Sequence, residues 1–216
     1  MTHKAVIFDL DGTLLDSLQD LAEAANRSLA DCGFPTHPLE AYRYFVGDGL
    51  QTLIRRILPE DARTERNMEQ VQERFRQDYG RNWNVRSRLY RGIGEMLDHL
   101  ATNGVAMNIL SNKPHDFTGA CVRHYLATWP FVQVLGNRPG IARKPDPAGA
   151  LEIAASLEME PEEIVFLGDT ATDMETASRA GMYPVGALWG FRTADELRKS
   201  GAGLLIDRPA QLLDLF

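Results

Sequence analysis

Apolar residues crowd into Lys4-Ala-Val-Ile-Phe-Asp-Leu10, a partly β-branched run that stops at Asp-Gly, as a buried parallel strand does when it ends in a loop. The period then changes. Leu18, Leu21, Ala22, Ala25, Leu29 and Cys32 recur at helical spacing across Ser17 to Cys32, and Gly33 stops the helix. Pro35 and Pro38 break the chain. After Gly47-Asp48-Gly49, residues Leu50, Leu53, Ile54, Ile57 and Leu58 predict a second helical stretch, and Met68, Val71, Phe75 and Tyr79 form one stripe across Thr64 to Trp83. Residues 16–88 therefore read as helices and turns only, a helical insertion.

Beyond it helix and strand alternate. Helices are predicted at Gly92 to Asn103, Pro114 to Leu126, Pro147 to Leu157 and Ala171 to Ala180; strands at Val105 to Leu110, Phe131 to Leu135, Ile164 to Leu167 and Pro184 to Leu188; a weaker β/α pair closes the chain. Strands separated by single helices imply βαβ units and a parallel sheet covered on both faces, an α/β fold.

Ligands of open parallel sheets bind beyond the carboxyl ends of the strands. Four polar clusters fall at such ends: Asp9-Leu-Asp11-Gly-Thr13, Ser111-Asn-Lys113, Lys144-Pro-Asp146, and Gly168-Asp169 through Asp173. Each alone is an ordinary turn, loop or helix cap; their order at successive strand ends points to one pocket. Asp9 and Asp11 share a face if strand geometry persists between them, and crowded carboxylates need a cation or a proton. With Asp169 and Asp173 they make an all-oxygen set with no Cys or His at hand, which suits Mg²⁺. The Ser111 hydroxyl, the Asn112 backbone amide and the Lys144 ammonium are donors that suit a phosphoryl group, and the Gly12 turn would let backbone N–H groups approach an anion. The chemistry so assembled is phosphoryl transfer through a carboxylate nucleophile.

Composition narrows the partners. The 216 residues carry Lys+Arg 23 against Asp+Glu 30, a net charge of −7, with 44% hydrophobic and 25% charged residues. That is an ordinary soluble composition without the basic stripe of a nucleic-acid binder, and no apolar stretch is long enough to span a bilayer. The first residues lack a leader pattern, which leads us to expect a cytoplasmic protein, monomer or homodimer. Cys32 and Cys121 fit no disulfide framework or metal spacing. Lysine is scarce: Lys4, Lys113, Lys144 and Lys199 are the whole set.

The motifs Asp9-Leu-Asp11-Gly-Thr-Leu-Leu-Asp-Ser17, Leu110-Ser-Asn-Lys113, Arg143-Lys-Pro-Asp146 and Gly168-Asp169 through Asp173 make the chain resemble the haloacid dehalogenase superfamily of phosphotransferases, over nearly its whole length, and within it the phosphoglycolate phosphatase-like group. The resemblance implies a Rossmann-like core (1–15 and 89–216), a small α-helical cap (16–88) and Mg²⁺. It implies Asp9 as nucleophile and metal ligand, and Asp11 as general acid/base that lends its backbone carbonyl to the metal. Asp169 would be a metal ligand, and Asp173 a ligand or the holder of a bound water. Ser111, Asn112 and Lys144, with Thr13 supporting the loop, would form the phosphate site.

Neighbouring chemistries separate on single residues. A haloacid dehalogenase has no need of an acid at position 11, and a phosphonate hydrolase of this superfamily uses a cap lysine, which 16–88 lacks. A β-phosphoglucomutase-like mutase and a pyrophosphatase stay open as alternatives; a non-catalytic scaffold could have lost Asp9, Asp11 or Lys144 and has lost none. For specificity we expect Gly47, Asp48 and Gly49 at the cap turn, with Arg55 and Arg56 meeting a substrate carboxylate such as that of phosphoglycolate, and Lys113 beside them. His115 reads as a helix-start residue.

Overall fold

The computed structural model describes residues 3–216; Met1 and Thr2, part of the leader reading, lie outside them. Ala5–Phe8 forms β1, and its side chains divide by alternation. Ala5 and Ile7 join one core cluster with Ile153, Phe166 and Ala177, while Val6 and Phe8 join the other with Leu97, Ile109 and Leu167. A strand buried on both faces is what the continuous apolar run requires.

After β1 the chain makes β2 (Leu15–Asp16), then α1 (Leu18–Asp31), α2 (Tyr42–Phe45), α3 (Leu50–Ile57) and α4 (Glu65–Asn82), and returns through β3 (Arg88–Leu89). β2 and β3 pair antiparallel, so the excursion leaves and re-enters through one short ribbon. The sequence shows no strand here because two residues carry no period. The four helices bury a cluster of their own, with Leu21, Ala25, Leu29, Ile54, Val71 and Phe75 at its centre.

The remainder runs α5 (Ile93–Thr102), β4 (Ala106–Pro114), α6 (His115–Tyr125), β5 (Phe131–Asn137), α7 (Ala148–Leu157), β6 (Ile164–Gly168), α8 (Ala171–Ala180), β7 (Tyr183–Ala187), α9 (Ala194–Lys199) and β8 (Leu204–Ile206). The closing pair thus comes helix first, with a 3₁₀ turn at Pro209–Leu215 after the strand. The sheet is parallel, in the order β5-β4-β1-β6-β7-β8. α5 and α6 cover one face, α7 and α8 the other. The chain moves outward from β1 to β4 and β5, then comes back to β6 on the far side, so the ends of β4, β1 and β6 open on a switch-point crevice. β4 runs past the predicted Leu110 to Pro114, where it pairs with Asn137 after a register shift, so Ser111-Asn112-Lys113 sit on extended backbone at that crevice. Among the described residues no helix is long and apolar enough to cross a membrane.

Asp20 locks the helical segment to the ribbon. Its carboxylate is 2% exposed and accepts from Arg86 N–H (2.9 and 3.0 Å), Ser87 N–H (2.8 Å) and Ser87 Oγ (2.7 Å). Asp20→Ala would strand these donors, and we expect a destabilisation of about 2–4 kcal/mol. The expected signature is a lowered urea midpoint at unchanged slope; a midpoint unmoved by the substitution would contradict it.

Candidate active site

Asp9 extends β1 by one rung, its N–H donating to Leu167 O at 2.9 Å. The chain then folds back, with the N–H groups of Leu14 and Leu15 donating to Leu10 O at 3.0 and 2.9 Å, and Gly12 takes φ 91°. A Cβ at Gly12 would stand 2.3 Å from Asp169 Oδ2, so this turn can approach the fourth motif only as glycine. Asp9 and Asp11 both open on one cavity, although the unbroken strand geometry that would make them strand neighbours on one face is not present. Strand geometry ends between them, and the Asp11 carboxylate goes to Ser17 Oγ (2.6 Å) and Lys113 Nζ (2.9 and 3.1 Å).

The carboxylates that do converge are Asp9, Asp169 and Asp173, all buried, each offering an oxygen within 4.8 Å of the others. Asp169 follows β6 and is held by Thr13 Oγ1 (2.9 Å) and Phe191 N–H (2.8 Å). Thr13, expected at a phosphate, therefore directs its hydroxyl to this carboxylate. Asp173 stands in the first turn of α8. One of its oxygens accepts from Thr170 N–H (3.0 Å) and Oγ1 (2.7 Å), closing a capping box, and the other takes Lys144 Nζ at 2.6 Å. Lys144 Nζ also lies 2.9 Å from Asp9 Oδ1, but off the hydrogen-bond direction, so that buried oxygen keeps no aligned donor.

One ammonium does not neutralise three carboxylates. Burial pushes Asp9 up to about 7, with Asp173 adding to it and Lys144 opposing. Asp169 is raised well above the ordinary carboxylate range by burial and by Asp173 and Asp9. Lys144, which burial alone would pull down, is lifted above its usual value by Asp173 and Asp9. A dry set of oxygens with excess negative charge, one of them without a donor, suits a hard divalent cation.

Between this cluster and the helical segment lies a cavity of about 60 Å³. Asp9, Asp11, Ser111 and Lys113 line its polar side; Leu21, Leu50, Leu53, Phe75 and Phe117 line the other. The Asn112 side-chain amide donates to Gly47 O (3.1 Å) and Lys144 O (3.0 Å), tying the glycine turn to the Lys144 loop. Gly47 and Gly49 line the cavity, but Asp48 accepts from Thr172 Oγ1 at 2.6 Å and pairs with Arg56 at 2.5 Å. Burial would raise the Asp48 carboxyl, yet Thr172 and Arg56 outweigh it and hold it below its ordinary value.

Arg55 and Arg56 do not reach the cavity. α3 buries Leu50, Leu53, Ile54 and Ile57, which turns positions 55 and 56 outward. Arg55 is exposed, and Arg56 is occupied by Asp48 and the carbonyls of Tyr44 and Phe45. Lys113 does line it, from a buried position in which the Asp11 carboxylate and the Tyr79 phenol outweigh the effect of burial and lift its ammonium well above the ordinary lysine value. His115 opens α6 and accepts Gly136 N–H at 3.1 Å. Sequence reasoning missed Tyr79, which reads as one more core position of a helical stripe, and the supports Ser17, Thr172 and Phe191 N–H.

A family model, haloacid dehalogenase-like hydrolase, matches residues 6–187. A phosphoglycolate phosphatase of Haemophilus influenzae is 33% identical over 218 residues, covering 98% of this chain and 97% of the relative. One of Pseudomonas putida is also 33% identical, covering 97% of this chain and 78% of its own. The crystal structure of a predicted phosphoglycolate phosphatase from Haemophilus somnus superposes with a TM-score of 0.93 at 28% identity, covering 100% of this chain and 98% of the other.

Proposed function

Since the chain belongs to the haloacid dehalogenase-like hydrolase family, we propose that it is a Mg²⁺-dependent phosphomonoesterase that works through an aspartyl-phosphate and takes 2-phosphoglycolate as its substrate. The observation that carries the reading is the meeting of Asp9, Asp169, Asp173 and Lys144 at one buried point. Residues 1–15 and 89–216 form the catalytic core in this reading, and 16–88 the cap that closes over the leaving group.

An Asp9 carboxylate oxygen attacks phosphorus as the ester P–O bond breaks, and Asp11 passes its proton to the departing oxygen. Asp11 then takes a proton from the water that attacks the phosphorus of the aspartyl-phosphate, which releases phosphate and restores Asp9. Ser111 and Lys144 hold the phosphoryl oxygens, with the Asn112 backbone amide, while the Asn112 side chain fixes the Lys144 loop. Mg²⁺, held by Asp9, Asp169, Asp173 and the Asp11 carbonyl, would supply positive charge against the phosphoryl group.

One feature of the cavity supports a small acid as the leaving group. Its rim includes Gly49 and Leu50, where α3 starts with no side-chain cap and no acid in its first turn, so backbone N–H groups stand ready for a carboxylate. A mutase or pyrophosphatase is not favoured, since the curated relatives above are phosphoglycolate phosphatases.

The test is a kcat/KM panel with Mg²⁺ over phosphoglycolate, pyrophosphate, hexose phosphates and nucleotides. Phosphoglycolate should exceed the hexose phosphates and nucleotides by at least about 100-fold, the scale that a misfitting leaving group imposes on transition-state binding. Preference for β-glucose 1-phosphate with a bisphosphate requirement, or for pyrophosphate, would replace the assignment.

A further inference from the structure

Lys113 and Tyr79 have no part in the steps above, yet they are joined to the acid/base. The Lys113 ammonium, its side chain 4% exposed, donates to Asp11 Oδ2 (2.9 Å) and Oδ1 (3.1 Å) on one side and to the Tyr79 hydroxyl (2.7 Å) on the other. The Tyr79 ring face lies 4.7 Å from Nζ. Tyr79 belongs to α4, where its ring stacks on Phe75 with centroids 5.2 Å apart and meets Phe117 edge-on at 5.2 Å. Ser17 Oγ adds a third grip on Asp11 at 2.6 Å. A lysine ammonium has three protons and no acceptor; donating to both Tyr79 and Asp11, it is a bridge between the helical segment and Asp11. Lys144, the other buried lysine, serves Asp9 and Asp173.

We infer that Lys113 and Tyr79 are positioning residues for proton transfer by Asp11: α4, through the Tyr79 hydroxyl, fixes the ammonium that aims the Asp11 carboxyl at the leaving oxygen. The inference rests on the acid/base role proposed for Asp11. In the first half-reaction the Asp9–phosphorus bond forms, the phosphorus–ester oxygen bond breaks, and the Asp11 proton goes to that oxygen. An alkoxide needs this proton as it leaves; an acetate ion does not. Ethyl phosphate and acetyl phosphate, of nearly equal size, therefore separate aiming a proton from holding the fold.

The experiment measures kcat/KM at saturating Mg²⁺ for wild type, Tyr79→Phe and Lys113→Met with 2-phosphoglycolate, ethyl phosphate and acetyl phosphate, with thermal unfolding of each protein. kcat/KM ends at the first irreversible step, so it reports cleavage of the ester bond and not hydrolysis of the phospho-enzyme. Lys113→Met should lower it about 100-fold on both alkyl esters and Tyr79→Phe about tenfold, against less than about threefold on acetyl phosphate. Equal losses on all three substrates in folded variants would overturn the inference and leave a structural bridge. Loss confined to 2-phosphoglycolate would also overturn it, making Lys113 a ligand for the carboxylate. Tyr79→Phe keeps the ring and its packing, so it decides the matter if Lys113→Met does not fold. A wild type inert on all three substrates would refute the phosphatase reading itself, and that result needs no variant.

Discussion

Replacing Asp9 with asparagine should lower phosphate release by at least about 10⁴-fold, the scale of losing a covalent nucleophile, while raising the thermal stability of the metal-free protein at pH 8. The amide has nearly the shape of the acid but cannot form the acyl phosphate. The stability gain follows from burial. Asp9 is 5% exposed and is pushed from the usual 3.8 to about 7, burial and Asp173 prevailing over Lys144. The unfolded chain therefore gives up this proton at lower pH than the folded one. Metal-free wild type loses stability as pH rises from about 4 to about 7 and carries the whole penalty above that, roughly a few kcal/mol. The substituted amide is neutral throughout, so the advantage of the variant is absent near pH 4 and largest above pH 7. Lys144 is not stranded, because Asp173 stays 2.6 Å away. Phosphate assays and unfolding in chelator at pH 4 and pH 8 check both halves. Release within about tenfold of wild type would remove Asp9 from the nucleophile's role.

The strand ends were legible because their causes are local. A β-branched run stopping at Asp-Gly became β1 over Ala5–Phe8; the polar clusters after it and on β4 line one cavity, and the carboxylates after β6 meet Asp9 beside it. Alternation stops being a guide where the backbone leaves the strand: Asp9 and Asp11 both line the cavity, but Asp11 is held by Ser17 and Lys113 and stands outside the cluster of Asp9, Asp169 and Asp173. The outward direction of Arg55 and Arg56 was also present in the sequence, since the apolar positions of α3 exclude them from its buried face. The bridges were not readable. Tyr79 to Lys113 and Asp20 to Ser87 join residues 34 and 67 positions apart, and no local period records which distant donor a buried carboxylate or phenol will meet. Composition could say only that Lys113 was one of few lysines; the fold says what it holds.

Mg²⁺ should raise the unfolding temperature by roughly 5–10 °C at pH 8 and by far less at pH 5. At a concentration about 100 times its dissociation constant, a ligand of the native state adds about 2.7 kcal/mol, which in a chain of this size is a shift of that order. The pH dependence comes from competition with protons. A hard cation needs ionised oxygens, yet Asp9 is pushed up to about 7 and Asp169 well above the carboxylate range, burial being the first cause of both. At pH 5 the ion must displace those protons. As pH rises it meets carboxylates whose mutual repulsion it relieves, so the gap between the Mg²⁺ and chelator curves should widen from pH 5 through the region of about 7 where Asp9 ionises. Asp169→Asn replaces a charged carboxylate by a neutral amide and should lose most of the shift at pH 8. Because the chain carries a net charge of −7, diffuse binding of Mg²⁺ to the surface is the competing explanation. It predicts a small shift that is indifferent to Asp169→Asn and is abolished by about 0.15 M monovalent salt, where exposed charges are screened beyond about 8 Å. A shift that survives salt and disappears with Asp169 places the cation among the buried carboxylates.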